Sequence, residues 1–224
     1  MITRDQPTIF LSNVRVAVSS VSDGSMKDGV DLMTSDAVHN REAFLRRIDM
    51  SPTRTAVFYA DYETEDFCHY EEAAAGLMPG ADGVSTQQPG QPILLPIADC
   101  VATVLYDPVH RVVMVSHLGR HSTEQYGGIK SVEYMTKQYG SRPADILVWL
   151  GPSPNGDDYP LRAFHGSSFT DVLTKQLRAA GVNDNNIEVS QVDTSTNPQY
   201  FSHSQFLKGR QDVDGRYAVA AMII

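Results

Sequence analysis

Residues 101–107, VATVLYD, and 112–117, VVMVSH, are two strand-length apolar runs separated only by the turn PVHR at 108–111. Two β-rich runs joined so tightly pair as an antiparallel hairpin. A third run, DILVWLGP at 145–152, is apolar almost throughout, the pattern of a central strand covered on both faces. The hairpin also has a chemical consequence. Cys100 stands at its head and His117 at its finish, seventeen residues apart, and pairing returns both to the same open end. A thiolate and an imidazole are good donors to a borderline-soft ion such as zinc. The plainer reading is a buried cysteine and a solvated strand-end histidine.

The rest of the chain alternates strands and helices. TIFLSNVRVAVSS (8–20) reads as a strand through Val14, Val16 and Val18, and VSDGSMKDGVDLMTSD (21–36) as a long loop. Ser35 or Asp36 caps a helix over 37–50, with Val38, Phe44, Leu45 and Ile48 on one face. TAVFYADYE (55–63), DFCHY (66–70) and PILLPIAD (92–99) read as strands, and GLMPGADGVSTQQPGQ (76–91) as a turn-rich connection. One helix is expected over 123–140, with Ile129, Val132 and Met135 inward and Gly140 as its stop. Another follows over 167–181, opened by Ser167 or Ser168 and closed by Gly181. NIEVSQV (186–192) and GRYAVAAMII (215–224) are further strands. With no repeat, low-complexity tract or linker, the expectation is an α/β (α+β) fold. It is a single compact domain over residues 1–224, with mixed β-sheets flanked by helices.

Bulk properties narrow the function. The chain has 224 residues, 42% of them hydrophobic, which suffices for a full core. A net charge of -9 and a pI near 5.1 argue against nucleic acid or an anionic membrane as partner. An anionic substrate would need a local cluster of Arg or Lys. Two cysteines, Cys68 and Cys100, make no disulfide framework. No apolar run approaches the roughly 20 residues of a membrane span, and MITRDQPTIF lacks a signal-peptide core, so a cytoplasmic protein is expected.

Motifs along most of the chain, in matching order, resemble one family. IADCVATVLYDP followed by VVMVSHLGRHST is similar to the central signature of the laccase-domain, polyphenol oxidase-like proteins, also called peptidoglycan editing factors. That signature runs T-A-D-C-x-P and then V-H-A-G-W-R-G-T. GADGVST resembles the stretch upstream of the family cysteine, and Asn40-Arg41 the Asn-Arg pair of its first helix. DILVWLGPSP resembles its strand ending in G-P-x-I-G. YFSHSQFLKGRQDVDGRYAVAAMI resembles its closing F-F-S-Y-R-R…T-G-R. The resemblance implies a laccase-domain fold with one metal site, usually zinc, held by His, Cys and His. It also implies cleavage of purine nucleosides by phosphate, in some members with adenosine deamination. By position Cys100 matches the ligand cysteine and His117 the second ligand histidine.

The chain departs from this pattern where the chemistry lies. Aligning the family's Q-V-H-G on DYETEDFCHY puts Glu63 where the first histidine belongs. Arg120 and His121 replace the Trp-Arg pair, and Ser204 and Gln205 replace the arginines of S-Y-R-R. A carboxylate also ligates zinc, so Glu63 is one candidate third ligand. His121, four residues after His117, is another, and His69 a weaker third. Arg41 and Arg120 are the candidate phosphate-binding residues. Asp99 is a candidate to orient His117, with His203 and Arg216 as possible supports.

Two readings compete. One is a zinc-dependent purine nucleoside phosphorylase acting on adenosine or inosine and phosphate, with Cys100, His117 and Asp99 catalytic. The other is a member that keeps the fold and binds a nucleoside or cell-wall precursor without turnover. Copper-dependent phenol oxidation is a weaker third reading, since a multicopper centre needs more ligands than seven scattered histidines provide.

Overall fold

In the computed structural model, residues 5–27 and 33–224 are described. The part of the expected 21–36 loop at 28–32 lies outside them. Among the described residues, eleven strands form two mixed sheets. In chain order the elements are β1 (Val14–Val18), α1 (Ser35–Arg47), β2 (Ala56–Tyr59), β3 (Tyr70–Glu72), β4 (Gly76–Pro79) and β5 (Gly83–Thr86). Next come β6 (Ile93–Ile97), β7 (Val101–Asp107), β8 (Val112–Leu118), α2 (Arg120–Glu124) and α3 (Gly127–Tyr139). The last are β9 (Leu147–Leu150), α4 (Phe169–Ala179), β10 (Ile187–Val189), α5 (His203–Leu207) and β11 (Tyr217–Ile223). One sheet has the order β1-β11-β6-β2-β4 and the other β10-β9-β7-β8-β5-β3. The α/β expectation of mixed sheets flanked by helices is what the chain adopts.

The period of two along each strand explains the layering. Ala102, Val104 and Tyr106 of β7 face one way, as do Val113 and Val115 of β8 and Trp149 of β9. They meet Ile93, Leu95 and Ile97 of β6 and Val219, Ala221 and Ile223 of β11 across the space between the sheets. The alternate residues Val101, Leu105, Met114 and Leu118 face outward, under α3 and α4 through Val132, Met135, Phe169 and Leu173. α1 covers the outer face of the other sheet, where Phe44 and Leu45 pack on Leu94, Ala218 and Ala220. Strands buried on both faces read as unbroken apolar runs, and this is why β7, β8 and β11 were so visible in sequence.

Several expected elements differ. Thr34, not Ser35 or Asp36, caps α1, its hydroxyl accepting from the Ala37 amide. The expected helix over 123–140 is two helices, because Tyr126 takes a left-handed conformation at φ 62°. The Ser122 hydroxyl pins α2 by bonding the His117 carbonyl and the Gly119 amide. A Cβ at Gly127 would lie 2.8 Å from the Ser122 carbonyl oxygen, so this close turn takes glycine. The turn-rich stretch 76–91 contains β4 and β5, disguised by glycines and by Pro79 on an edge strand. Most of DFCHY is irregular, since side chains of Gln125, Asp66 and Asp82 take the amides of Phe67, Cys68 and His69.

The β7–β8 register is set at its turn. Asp107, with a side chain sealed from solvent, accepts from the amides of Val109 and His110 and lies 2.7 Å from His110 Nδ1. Burial alone would push its carboxyl up, but the hydrogen bonds from His110 and Val109 outweigh it and hold the group below the usual carboxylate range. Such a carboxylate stabilises the fold above its unfolded value, and that stability is lost as pH falls through the depressed folded value. Asp107→Ala is therefore expected to cost about 2 kcal/mol at pH 7. Urea denaturation across pH should show the deficit shrinking below about pH 4.

Candidate functional site

The same alternation that builds the inter-sheet core carries it to a polar end. On β8 the series Val113, Val115 continues to His117, and on β7 the series Tyr106, Val104, Ala102 extends back to Cys100. Ala102 pairs with His117 across the hairpin, so the sequence expectation that Cys100 and His117 arrive at one end matches the observed register. Gly119 sits between them. A Cβ there would stand 2.9 Å from Cys100 Sγ and 3.4 Å from His117 Nε2, so both side chains converge on one point.

They form part of the wall of a cavity of about 510 Å³ between the ends of the sheets. Three aromatic rings, Tyr59, Tyr62 and Tyr159, line it, with Lys27 and Arg216 as its cations. Tyr62 meets the His117 ring edge-on, with centroids 6.4 Å apart. Lys27 Nζ lies 4.7 Å from the centre of the Tyr59 ring. A smaller recess of about 180 Å³ reaches the Cys100–His117 pair from the other side, past Arg120 and His121.

Burial dominates the electrostatics. It pushes the Cys100 thiol up to about 12, with the Asp99 carboxylate adding to the effect, so Cys100 is a protonated thiol at neutral pH. It pulls His117 down to about 4, and Lys27 acts in the same direction, leaving a neutral imidazole. His117 Nδ1 is buried and has no hydrogen-bond partner. The Lys27 ammonium is lowered first by burial and then by the charge of Arg216. Lys27 and Arg216 thus bring positive charge to a partly desolvated cavity, where Arg216 is paired with Asp214 at 2.6 Å and Asp99 also lines the wall.

The other sequence candidates are placed differently. Asp99 does not orient His117. Its Oδ1 accepts from the Ser202 hydroxyl at 2.6 Å and its Oδ2 from the Ser204 amide at 2.6 Å, tying the head of the hairpin to the start of α5. Arg41 is buried and donates to the Met26 carbonyl at 2.7 Å, so it braces the loop that carries Lys27 and does not line the cavity. Glu63 lies on an exposed turn, its amide bonded to Asp61 Oδ1. His121 is stacked on Phe67, with ring centroids 4.6 Å apart. His69 is held by Glu71 at 2.7 Å. Among the described residues no three His, Cys, Asp or Glu side chains come together to hold a metal. Cys100 and His117 suit a soft ion, but the residues present stop at two donors and do not make the three-ligand centre that the resemblance implies.

His203 and Arg216, expected as supports, line the cavity, and Asp214 joins them. Sequence reasoning missed Lys27, Tyr62, Tyr159 and Asp214. Lys27 and Tyr159 sit in irregular loops without periodicity, and Tyr62 stands one residue before the position that the motif comparison singled out.

A family model described as multi-copper polyphenol oxidoreductase laccase matches residues 25–172 and 162–224. Over 78 residues the chain is 38% identical to purine nucleoside phosphorylase YlmD of Bacillus subtilis, covering 35% of this chain and 28% of that one. Over 159 residues it is 24% identical to the purine nucleoside phosphorylase of Bacteroides thetaiotaomicron, covering 60% and 57%. The matched segment thus spans little more than half, or less, of these relatives' lengths. The fold superposes on YfiH of Bacillus licheniformis with a TM-score of 0.80 at 20% identity, covering 94% of this chain and 93% of that one. For YlmD of Geobacillus stearothermophilus the TM-score is 0.81 at 19% identity, covering 100% and 97%.

A two-donor set predicts weak zinc binding. Isothermal titration of the metal-free protein should give a Kd of roughly micromolar or weaker, far from the nanomolar range of complete structural centres. Because the thiol must lose its proton, binding should tighten as pH rises. Gly119→Ala and Cys100→Ser should each abolish it.

Proposed function

The chain belongs to the multi-copper polyphenol oxidoreductase laccase family, and from that premise we propose that it is a purine nucleoside phosphorylase-type enzyme working in the inter-sheet cavity. Residues 1–224 are taken as one domain carrying one such site. The observation that carries the reading is the Lys27–Arg216 pair set into a cavity walled by tyrosines. Such a pair fits phosphate, and the tyrosine faces fit a purine. A volume of about 510 Å³ is also in the range of sites for small molecules. The names of the two curated relatives supply the reaction class.

In this reading phosphate lies against Lys27 and Arg216, and the purine lies against Tyr62 and Tyr159. A phosphate oxygen attacks C1′ of the ribose as the bond to N9 breaks, giving ribose 1-phosphate and free base. Confinement in one cavity holds the two reactants in line. His117, as a neutral imidazole, and Cys100, as a protonated thiol, offer hydrogen bonds to the sugar without adding charge near its developing oxocarbenium character. Asp99 holds the α5 segment against the hairpin, Arg41 supports the Lys27 loop, and Arg120 stands at the recess behind Cys100.

The incomplete ligand set favours a second reading, a protein that binds nucleoside without turning it over. One assay separates them. Adenosine or inosine with phosphate should release adenine or hypoxanthine, and omission of phosphate should stop the release. Formation of inosine from adenosine would report deamination in the same traces. Lys27→Ala should raise the KM for phosphate by about 10- to 100-fold, the loss of one charge-assisted contact. Binding of inosine by calorimetry with no base released would establish the second reading instead.

A further inference from the structure

His203 opens α5 at the cavity wall, and its Nδ1 lies 2.8 Å from Asp214 Oδ1. The same oxygen of Asp214 accepts from Arg216 Nη1 at 2.6 Å. One carboxylate therefore joins an imidazole to one of the two cations that line the cavity. Asp214 is held in its ionised form: burial raises its carboxyl, but hydrogen bonds from Arg216 and His203 outweigh that and bring it below the usual range. An ionised carboxylate accepts hydrogen bonds only, so the His203 nitrogen facing it is Nδ1–H, leaving Nε2 as the nitrogen that can exchange a proton with a ligand.

The backbone around this pair is fixed independently. The Ser202 hydroxyl and the Ser204 amide, on either side of His203, both bind the buried Asp99. Asp99 itself adopts a left-handed conformation at φ 62° immediately before Cys100. The imidazole is thus anchored through its ring and through its backbone neighbours to the strand end that carries the cavity cysteine. The closing motif that this segment resembles has Tyr and Thr at the positions of His203 and Asp214.

We propose that His203 is the general acid that protonates the departing purine, with Asp214 as the positioning residue that sets its tautomer. This rests on the phosphorylase reading. As the C1′–N9 bond breaks, its electron pair passes into the purine ring, and His203 Nε2–H delivers a proton to N7. The new bond joins a phosphate oxygen to C1′. Hydrogenphosphate gives up its proton in becoming the ribose ester, and that proton returns to His203. The base leaves neutral, and no further reactant is needed.

Purine nucleosides methylated at N7 carry a positive charge on the base and leave without protonation, so they test this role directly. His203→Gln should lower kcat for inosine by about 100-fold, the usual contribution of a positioned general acid. It should leave the KM for phosphate within about twofold and cleave 7-methylinosine at close to the wild-type rate. His203→Tyr, which restores the residue type of the resembled motif, should show the same selective loss. Retained activity on 7-methylinosine certifies that either variant is folded. Equal loss on both nucleosides, or no loss on inosine, overturns the role of His203 and leaves phosphorolysis standing. Wild-type protein that releases base from neither nucleoside overturns the phosphorylase reading and this role with it.

Discussion

The β7–β8 pairing is the constraint on which the site depends. Both strands lie inside their sheet and are covered on both faces, so a one-residue slip would exchange every core-facing side chain for an outward-facing one. That cost locks Ala102 opposite His117. It also locks the parity that turns His117 and Cys100 toward the space between the sheets. A sandwich filled by Val, Ile and Trp to its mid-plane thus ends in a thiol, an imidazole and tyrosines without any change of strand direction. The functional end is the place where the inward-facing series stops being apolar.

Asp99 extends that constraint beyond the hairpin. Its two carboxylate oxygens reach across 103 and 105 positions of sequence to Ser202 and Ser204. Buried carboxylates need such partners, because an unpaired charge in the interior is far costlier than the bonds that satisfy it. α5 is too short to hold itself in place, and this contact fixes it against the strand ends. A residue that looked like a helper of His117 in sequence is the tie that brings a second segment into the cavity.

What was legible in sequence follows the range of the interactions involved. Val101–Asp107, Val112–Leu118 and Tyr217–Ile223 announced themselves because strands buried on both faces carry their pattern locally. That Cys100 and His117 return to one end followed from pairing the two runs across a short turn. β4 and β5 stayed hidden because Gly76, Gly80, Gly83 and Pro79 imitate a loop. Gly83 is demanded by packing, as a Cβ there would meet Met114 at 2.7 Å and Tyr70 at 2.9 Å. The break between α2 and α3 was hidden because it turns on a left-handed Tyr126, a residue type that carries no such signal. Lys27, Tyr62 and Asp214 lie in segments flanking β1, β2 and β11, and the order of that one sheet gathers them at the cavity.

The departures from the family pattern share one physical logic. Where the motif comparison expects a third metal donor, Glu63 sits on an exposed turn and Tyr62 instead brings its ring to His117. Where the closing motif carries adjacent arginines, this chain has Ser204 and Gln205. Ser204 spends its amide on Asp99 and Gln205 lies buried. Positive charge is thereby withdrawn from α5 and left with Lys27 and Arg216, which approach the cavity from the opposite sheet's loops. Asp214 and Asp99 line the same cavity and offset part of that charge, each engaged by protein donors. An anion entering there meets two cations and three aromatic rings, and the carboxylates nearby are already bonded to protein. On the phosphorylase reading proposed above, that arrangement suits a ligand combining an anionic group with a flat apolar one.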